Sequence, residues 1–591
     1  MYQLLNTEGI RDILTPERLR KVIVLAPGEI RDDLPREEIL ERCREIVSSP
    51  IPETPYTFFA EFYKTGNRSH YEVPARTRRQ NMLTLALGSF LTGDASFLAR
   101  LQDYIWAICE EATWCWPAHL PEELDFSKAY IDLGASMTAE LLGEILDILG
   151  DRFDLNLKKR VIFELNRRIF APFLECPDDY WWSEGYWSNW CAVCCAAIGT
   201  AAITSRLPEP QLSKMISDIT IRLNHYLEFF DEEGGWVEGV GYWNYGLTHL
   251  ARFADSLFRV SEGRLNMFEH PKLNLTGSFP LHCFLPPDGF VSFGDCHPGV
   301  KLGEDLVYSL MEHTLLGPEL AWLLEILPKH RVNRFESIRG LRNRVLPAPL
   351  LPSETYRHFK GIDWLVTRRS WKDKLGPVLA VKAGNNGEPH NHVDVGQFIF
   401  HTMGQDFLTD LGAGLYTRAY FSQERYKNPF CNAEGHSLVF IDGKSQGIGK
   451  EFQGKIEEFR PGADKDTVML DLTGAYPGGL VTSLNRRLEL GKKPAYGELL
   501  LTDEVCVPEK AEIELRLQLG TKPRRAGERE FLLTGYLGDM VLRVLEPERV
   551  SLECRSFDRL ETSGGAKDSY FMRIIAKESQ NVRFCVQVLE A

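Results

Sequence analysis

The chemistry-bearing residues of this 591-residue chain gather in three stretches. In "EPHNHVDVGQFIFHTMGQDFLTDLG", His390, His392 and Asp394 share one side of the chain if the segment is extended, because side chains alternate along a strand. A hairpin turn at residues 403–405 returns Asp410 toward the first strand, and His436, which opens "HSLVFID", can join from a neighbour. Two imidazoles and a carboxylate suit Zn²⁺, whereas calcium prefers more oxygens and no imidazole. Spacing alone leaves acid–base, metal-binding and plain polar roles open. The second stretch, "DDYWWSEGYWSNWCAVCCAA", crowds Trp181, Trp182, Tyr186, Trp187 and Trp190 ahead of a small-residue helix that Ser188 or Asn189 can cap. It reads either as a hydrophobic plug or as a sugar platform, since aromatic faces pack on pyranose rings. The third, "FFDEEGGWVEGVGYWNYGLTHLARFADSL", passes from a Gly-rich loop into a helix carrying Glu238, Tyr242, Trp243, Tyr245 and His249. Loops on a rigid scaffold are where sites are built. In "PDGFVSFGDCHPG", Asp295 and His297 can face the same cleft, with Asp295 read first as a turn or helix cap.

The elements that must position these groups fall into two textures. Up to about residue 345, runs such as "FLARLQDYIWAICEEA", "AELLGEILDILG" and "QLSKMISDITIRLNHYLEFF" repeat apolar residues at helical spacing. Several are apolar on more than one side, as expected of helices packed between two neighbours. Serial helical hairpins without a strict repeat suggest a toroid or solenoid. Pro347, Pro349 and Pro352 end this region, and short β-rich runs separated by turn signals follow. The expected fold class is α+β multidomain: an N-terminal (α/α) toroid over residues 1–348 and an antiparallel β-sandwich over 355–591, with a subdivision near residue 490 left open.

Composition bounds the function. The formal charge of −15 argues against a nucleic-acid binder, although a site can be basic inside an acidic protein. The local patch "ARTRRQ", with Arg76, Arg78 and Arg79, is either a solvated helix start or an anion site. No apolar run reaches membrane-spanning length. Thirteen scattered cysteines, Cys191, Cys194 and Cys195 among them, read as buried reduced thiols. The N-terminus lacks the pattern of a signal peptide, so the expectation is cytoplasmic for the chain as written, and secreted or periplasmic for one whose leader was removed.

Three motifs in order, "YWSNWCAVCCAAIG", "DEEGGWVEGVGYWNYG" and "PHNHVDVGQFIF…FLTDLGAGLY…AEGHSLVF", resemble the heparinase II/III-like polysaccharide lyases over about residues 75–450. That resemblance implies a helical toroid followed by antiparallel β-sheet domains. It also implies β-elimination at a glycosidic bond on C4 of a uronic acid, in a glycosaminoglycan such as hyaluronan, chondroitin or heparan sulfate, or in alginate. Such a reaction needs the uronate carboxylate neutralised, a base for C5 and an acid for the departing O4. By motif, Asn189 is the neutraliser and Tyr242 the acid, also the base in a syn elimination. His390 aids neutralisation or takes the C5 proton from the other face. His392, Asp410 and His436 match the family's metal triad, a structural zinc that holds the strand and so positions His390. Trp116, His119, Trp187, Glu238, Tyr245 and Arg79 are expected at the substrate, with Arg76, Arg78, Arg418 and Arg425 as further candidates for its anionic groups. Trp190 stands where some relatives carry a histidine.

Two other classes compete. A glycoside hydrolase on a similar toroid would use two carboxylates among Asp231, Glu232, Glu233, Glu238 and Asp295, facing each other across the sugar. An inactive carbohydrate-binding protein would keep the toroid alone. No membrane or nucleic-acid partner is expected, and the sequence leaves the oligomeric state open.

Overall fold

The computed structural model describes residues 6–21, 23–333, 336–417, 419–560 and 566–591. Helices α1 (Arg36–Ser48) and α2 (Tyr56–Thr65) precede a toroid built on α3 (Ser69–Thr92), α4 (Ala95–Cys109), α5 (Leu133–Leu149), α6 (Leu155–Leu165), α7 (Asn189–Thr204), α8 (Gln211–Glu228), α9 (Gly239–Val260), α10 (Glu304–His313) and α11 (Gly317–Ile326). The apolar run beginning at Asn81 gives only the second half of α3. Pro74 and the arginine run mask its start, yet Tyr71 and Ala75 are buried there. Acidic and hydroxyl side chains open several helices: Asp94 caps α4, Asp132 caps α5 and Ser188 caps α7, each satisfying an otherwise orphaned N–H.

Helix α7 is the hub of the toroid, packed between α5 and α9. Its small residues make that possible. A Cβ on Gly143 of α5 would stand 2.5 Å from Thr204 Oγ1 and 3.0 Å from the Ala201 Cα, so only glycine lets the two helices meet this closely. The three cysteines of α7 are buried and free. They pack as small apolar groups.

The second half is antiparallel. Strands β1 (Tyr356–Phe359), β2 (Trp364–Arg368), β3 (Val378–Lys382), β4 (Phe398–Thr402), β5 (Gln405–Leu408), β6 (Val439–Ile441), β7 (Ser483–Gly491), β8 (Glu498–Leu519) and β9 (Ala566–Glu590) belong to one network, in the order β1-β2-β3-β4-β5-β8-β9 along its main path. β7 pairs with β8 from Ser483↔Cys506 to Gly491↔Glu498. A subdivision near residue 490 is therefore corrected: Leu490 pairs with Leu499 at the end of β7, one residue before the hairpin turn at 492–497.

Strands β2 to β4 join the halves. Leu365, Leu379, Val381, Phe398 and Phe400 enter the β core. Trp364, Val366, Val378, Ala380 and Ile399, on the alternate face, pack into the core of the toroid. A strand buried on both faces has no polar alternation, which is why these segments read as continuous apolar runs. The β4–β5 turn is tight, with Met403 and Gly404 both at positive φ and Thr402 paired to Gln405.

Candidate active site

Where the toroid meets the β half, a cleft of about 840 Å³ is lined from both sides. Asn189, Trp190, Tyr242, Tyr245, Trp116 and His119 come from the helices, and His390, Tyr416 and Phe421 from the β half. Asn189 is the first residue of α7, so the helix N-terminus points partial positive charge at the same spot. Gly246 lets α9 approach it: a Cβ there would lie 3.3 Å from Asn189 Cβ and 2.8 Å from the Tyr226 hydroxyl. Tyr242, Tyr245 and His249 follow at helical spacing on α9, and Gly239, at φ +85°, makes the turn that starts the helix.

The segment around His390 is not extended. His390 sits at φ +52° in a loop, which breaks the alternation assumed from the sequence. Its position is fixed by Asp295. The Asp295 backbone N–H donates to the His390 carbonyl at 3.2 Å, and His390 Nδ1–H donates to Asp295 Oδ2 at 2.8 Å. The other carboxylate oxygen accepts from His392 Nε2–H (2.9 Å), Tyr420 (2.5 Å) and Arg425 Nη2 (2.9 Å). A carboxylate only accepts, so the proton on each ring nitrogen facing it is fixed. Asp295 is thus not a turn cap but a buried carboxylate that ties His390, His392, Tyr420 and Arg425 together. Burial raises its pKa, but those hydrogen bonds and charges overcome this and hold it well below the usual carboxylate range. For His390, burial disfavours the cation, while the Asp295 hydrogen bond and the Glu238 charge outweigh burial and raise its pKa.

Tyr242 lies over the His390 ring, centroids 4.2 Å apart and planes 29° apart, and its hydroxyl is 2.9 Å from that of Tyr416. Burial, followed by the Asp295 charge, pushes its pKa well up. The phenol is therefore held protonated, not poised as a phenolate. Tyr245 lines the same cleft one turn further on, its hydroxyl directed at Met137 Sδ (3.7 Å). His119 donates from Nδ1 to Asp132 (2.7 Å), which leaves Nε2 to accept from Arg68 (3.2 Å). Arg68 and Arg76 line the cleft and share Glu72.

Three expected substrate contacts fall elsewhere. Glu238 is 1 % exposed behind the cleft wall, where one carboxylate oxygen accepts from Asn189 Nδ2 (3.2 Å) and Trp236 Nε1 (2.9 Å). Its other oxygen has no hydrogen bond and lies 3.7 Å from His390 Nε2. Glu238 therefore orients Asn189 and His390. Arg79 is drawn inward by Glu111 and Thr138, with its guanidinium over the Trp116 ring. Trp187 is half exposed, outside the cleft. Arg78 pairs with Glu111, and Arg425 turns inward to Asp295. Arg418 lies outside the described residues. Tyr416, Tyr420 and Arg68 are not predicted from the sequence, although the aromatics of "LYTRAYF" are a signal for two of them.

The metal expectation meets a mixed geometry. His392 and His436 are buried, with ring centroids 5.3 Å apart. Asp410 Oδ2 accepts from His436 Nδ1 at 2.9 Å, and His436 Nε2 faces the Phe430 carbonyl at 3.1 Å. The carboxylate whose oxygen lies within 4.8 Å of ligating atoms on both histidines is Asp394, in place of the expected Asp410. Both Asp394 oxygens accept from Lys382 Nζ at 2.7 Å. Asp295, His392 and Cys431 form a second such group. The decisive atom is His392 Nδ1, which is buried without a hydrogen bond while Nε2 is held by Asp295. One nitrogen fixed by a carboxylate and the other unclaimed is the arrangement of a metal-ligating imidazole. The buried His/Asp groups can hold a divalent cation.

A toroid fused to antiparallel sheets is also the fold of several solved structures. Residues 354–555 match the family model "Heparinase II/III-like, C-terminal". The whole chain shares its fold with a heparinase III gene product (TM-score 0.65, 14% identity, 95% of this chain and 92% of that one). A crystal structure of heparinase III (0.65, 12%, 95% and 93%) and heparan sulfate lyase HepC from Pedobacter heparinus (0.61, 14%, 94% and 86%) show the same fold. No curated protein sequence matches the chain.

Proposed function

We propose that this protein is a polysaccharide lyase that cleaves uronate-containing glycans, foremost glycosaminoglycans, by β-elimination. The observation that carries the reading is the convergence of Asn189, Tyr242 and His390 on one cleft, with His390 locked by Asp295. The heparinase and heparan sulfate lyase names of the structures sharing the fold support it.

The uronate carboxylate is met by the second N–H of Asn189, by the α7 N-terminus and by His390, which withdraw charge as the aci-enolate forms. The C5–H electrons become the C4–C5 double bond, and the C4–O4 bond breaks. The Tyr242 hydroxyl gives its proton to the departing O4, and its oxygen takes the C5 proton, so no stored phenolate is needed and the phenol is restored. Tyr416 holds the Tyr242 hydroxyl in place from the β half. Zn²⁺ is our choice of cation at His392 and His436, with Asp394 or Asp410 as the carboxylate. It would contribute rigidity to the loop that carries His390.

The hydrolase alternative needs two carboxyls across the cleft. Among the described residues lining it, Glu122 is the only carboxylate. Asp231 is buried against the Gly361 N–H, Glu232 pairs with Lys272, and Glu233 pairs with Arg357. The test is incubation with heparan sulfate, hyaluronan, chondroitin sulfate and alginate while following the ultraviolet absorbance of the C4–C5 double bond. Absorbance rising with chain cleavage is expected. New reducing ends without absorbance would mean hydrolysis, and neither signal would leave a binding protein.

A further inference from the structure

Adjacent tryptophans in "DYWWSEGYWSNW" have opposite fates. Trp182 is buried, stacked on Phe173 (6.1 Å, 3°) and Tyr180 (5.4 Å, 20°), and its indole N–H donates to the Ile131 carbonyl at 2.9 Å. With that anchor set in the short helical turn Trp181–Ser183, Trp181 must project the other way, and it is 56 % exposed. It is nevertheless held firmly. A Cβ on Gly185 would stand 3.2–3.3 Å from the Trp181 ring, so the glycine backbone backs the indole. The Trp190 ring packs against it at 5.2 Å and 44°.

Trp190 is a wall of the cleft, touches His119 at 4.6 Å, and follows Asn189 directly. Aromatic rings therefore run from His119 and Trp190 in the cleft to the protein surface at Trp181. A large apolar face kept exposed and immobile has a desolvation gain in reserve for a ligand. Its continuity with a saccharide cleft decides which ligand: the apolar C–H face of a pyranose fits a flat indole.

We propose that Trp181 is an accessory saccharide subsite outside the cleft, which binds a pyranose of the same glycan beyond the sugars held at Asn189, Tyr242 and His390. The subsite rests on the lyase reading for its glycan class, but it makes its own demand: affinity must grow with chain length, and Trp181 must supply that growth. A ring already backed by Gly185 and Trp190 loses little freedom on binding.

The test uses the full chain, wild type and Trp181→Ala, with size-fractionated oligosaccharides of each of the four polymers above. Binding is read by titration calorimetry, and elimination by ultraviolet absorbance. For wild type, affinity should rise about tenfold, equivalent to roughly 1.4 kcal/mol, between the shortest bound oligosaccharide and one two to four sugars longer. Trp181→Ala should bring that ratio close to one, and Trp181→Phe should restore part of it. Trp106→Ala, which removes another exposed indole on α4, should leave the ratio as in wild type. An unchanged ratio in Trp181→Ala overturns the subsite, as does an equal loss at every length, which would mean that Trp181 only props Trp190. Length-dependent binding through Trp181 without elimination would keep the subsite and remove the lyase reading. Elimination without a length effect would do the reverse, and neither binding nor elimination would remove both.

Discussion

Replacing Asp295 by asparagine changes one atom at the junction of the site. Three donors, from His392, Tyr420 and Arg425, converge on Oδ1, while His390 alone faces Oδ2. In Asp295→Asn the amide carbonyl will therefore stay with the three donors, and the new NH₂ will face His390 Nδ1. Two N–H groups cannot face each other, so His390 must move its proton to Nε2 or swing away, and it then loses the carboxylate that stabilised its cation. Removing one preorganised electrostatic stabiliser of a developing oxyanion costs ~10²–10³-fold in kcat, and Asp295→Asn should fall in that range with KM changed far less. Arg425, only 11 % exposed, loses its counter-charge. Breaking a buried ion pair costs roughly 3–5 kcal/mol, and because the amide keeps one oxygen the lower end is expected. The assay is initial-rate ultraviolet absorbance on whichever polymer is turned over, with thermal unfolding run alongside. A folded Asp295→Asn protein with kcat within about threefold of wild type would falsify the role given to this carboxylate.

Tyr242→Phe removes the hydroxyl placed to protonate O4 and should lower kcat by ~10²–10⁴-fold, measured by the same absorbance; retained activity would move the acid elsewhere. The purified protein should carry one divalent cation per chain by elemental analysis, and His392→Ala should lose it together with several degrees of thermal stability. A metal-free, fully folded wild type would remove the centre. Asp255 is buried and accepts from Arg342 (2.6 and 2.9 Å) and from Arg339. Burial raises its pKa, but the two guanidinium groups prevail and hold it far below the ordinary range. Its folded pKa thus lies below the unfolded value of ~3.9, so its stabilisation is present above that pH and is lost as pH falls below it. Asp255→Asn should cost roughly 3–5 kcal/mol near neutrality, and its unfolding midpoint should fall less steeply than that of wild type below about pH 4.

The split into helical and β halves was legible because periodicity is a local property of the chain. Strands β3 and β4 could be located, but not their double burial, because a run apolar on both sides carries no sign of what covers each face. Among the site residues, Asn189 and Tyr242 were legible through the Trp-rich and Gly-rich motifs around them. Asp295 was not. In "FGDCHPG" it has the look of a turn residue, and its four partners lie 95 to 130 positions further along, so nothing near it in sequence announces them. The arginine run 76–79 misled in the opposite way. A cluster of like charges looks like a ligand site, yet Glu111 draws Arg78 and Arg79 inward, and only Arg76 stays at the cleft.

The two histidines separated by Asn391 show how the parts depend on one another. His390 faces the cleft and His392 faces the buried residues that can hold a cation, and they are divided by the turn at φ +52° and rejoined on opposite oxygens of Asp295. That carboxylate follows Gly294 in the helical half, while both histidines belong to the β half. Tyr242 of α9 likewise finds its hydroxyl partner in Tyr416 across the junction. The orientation of His390 and the placing of the Tyr242 hydroxyl therefore each draw on both halves. The alternate faces of β2 to β4 that pack into the toroid help to hold the two halves in register. A substitution such as Ile399→Ala, which leaves a cavity at that seam and costs ~2–5 kcal/mol, should lower kcat by loosening the Asp295–His390 contact. A variant with reduced thermal stability but wild-type kcat would refute that coupling.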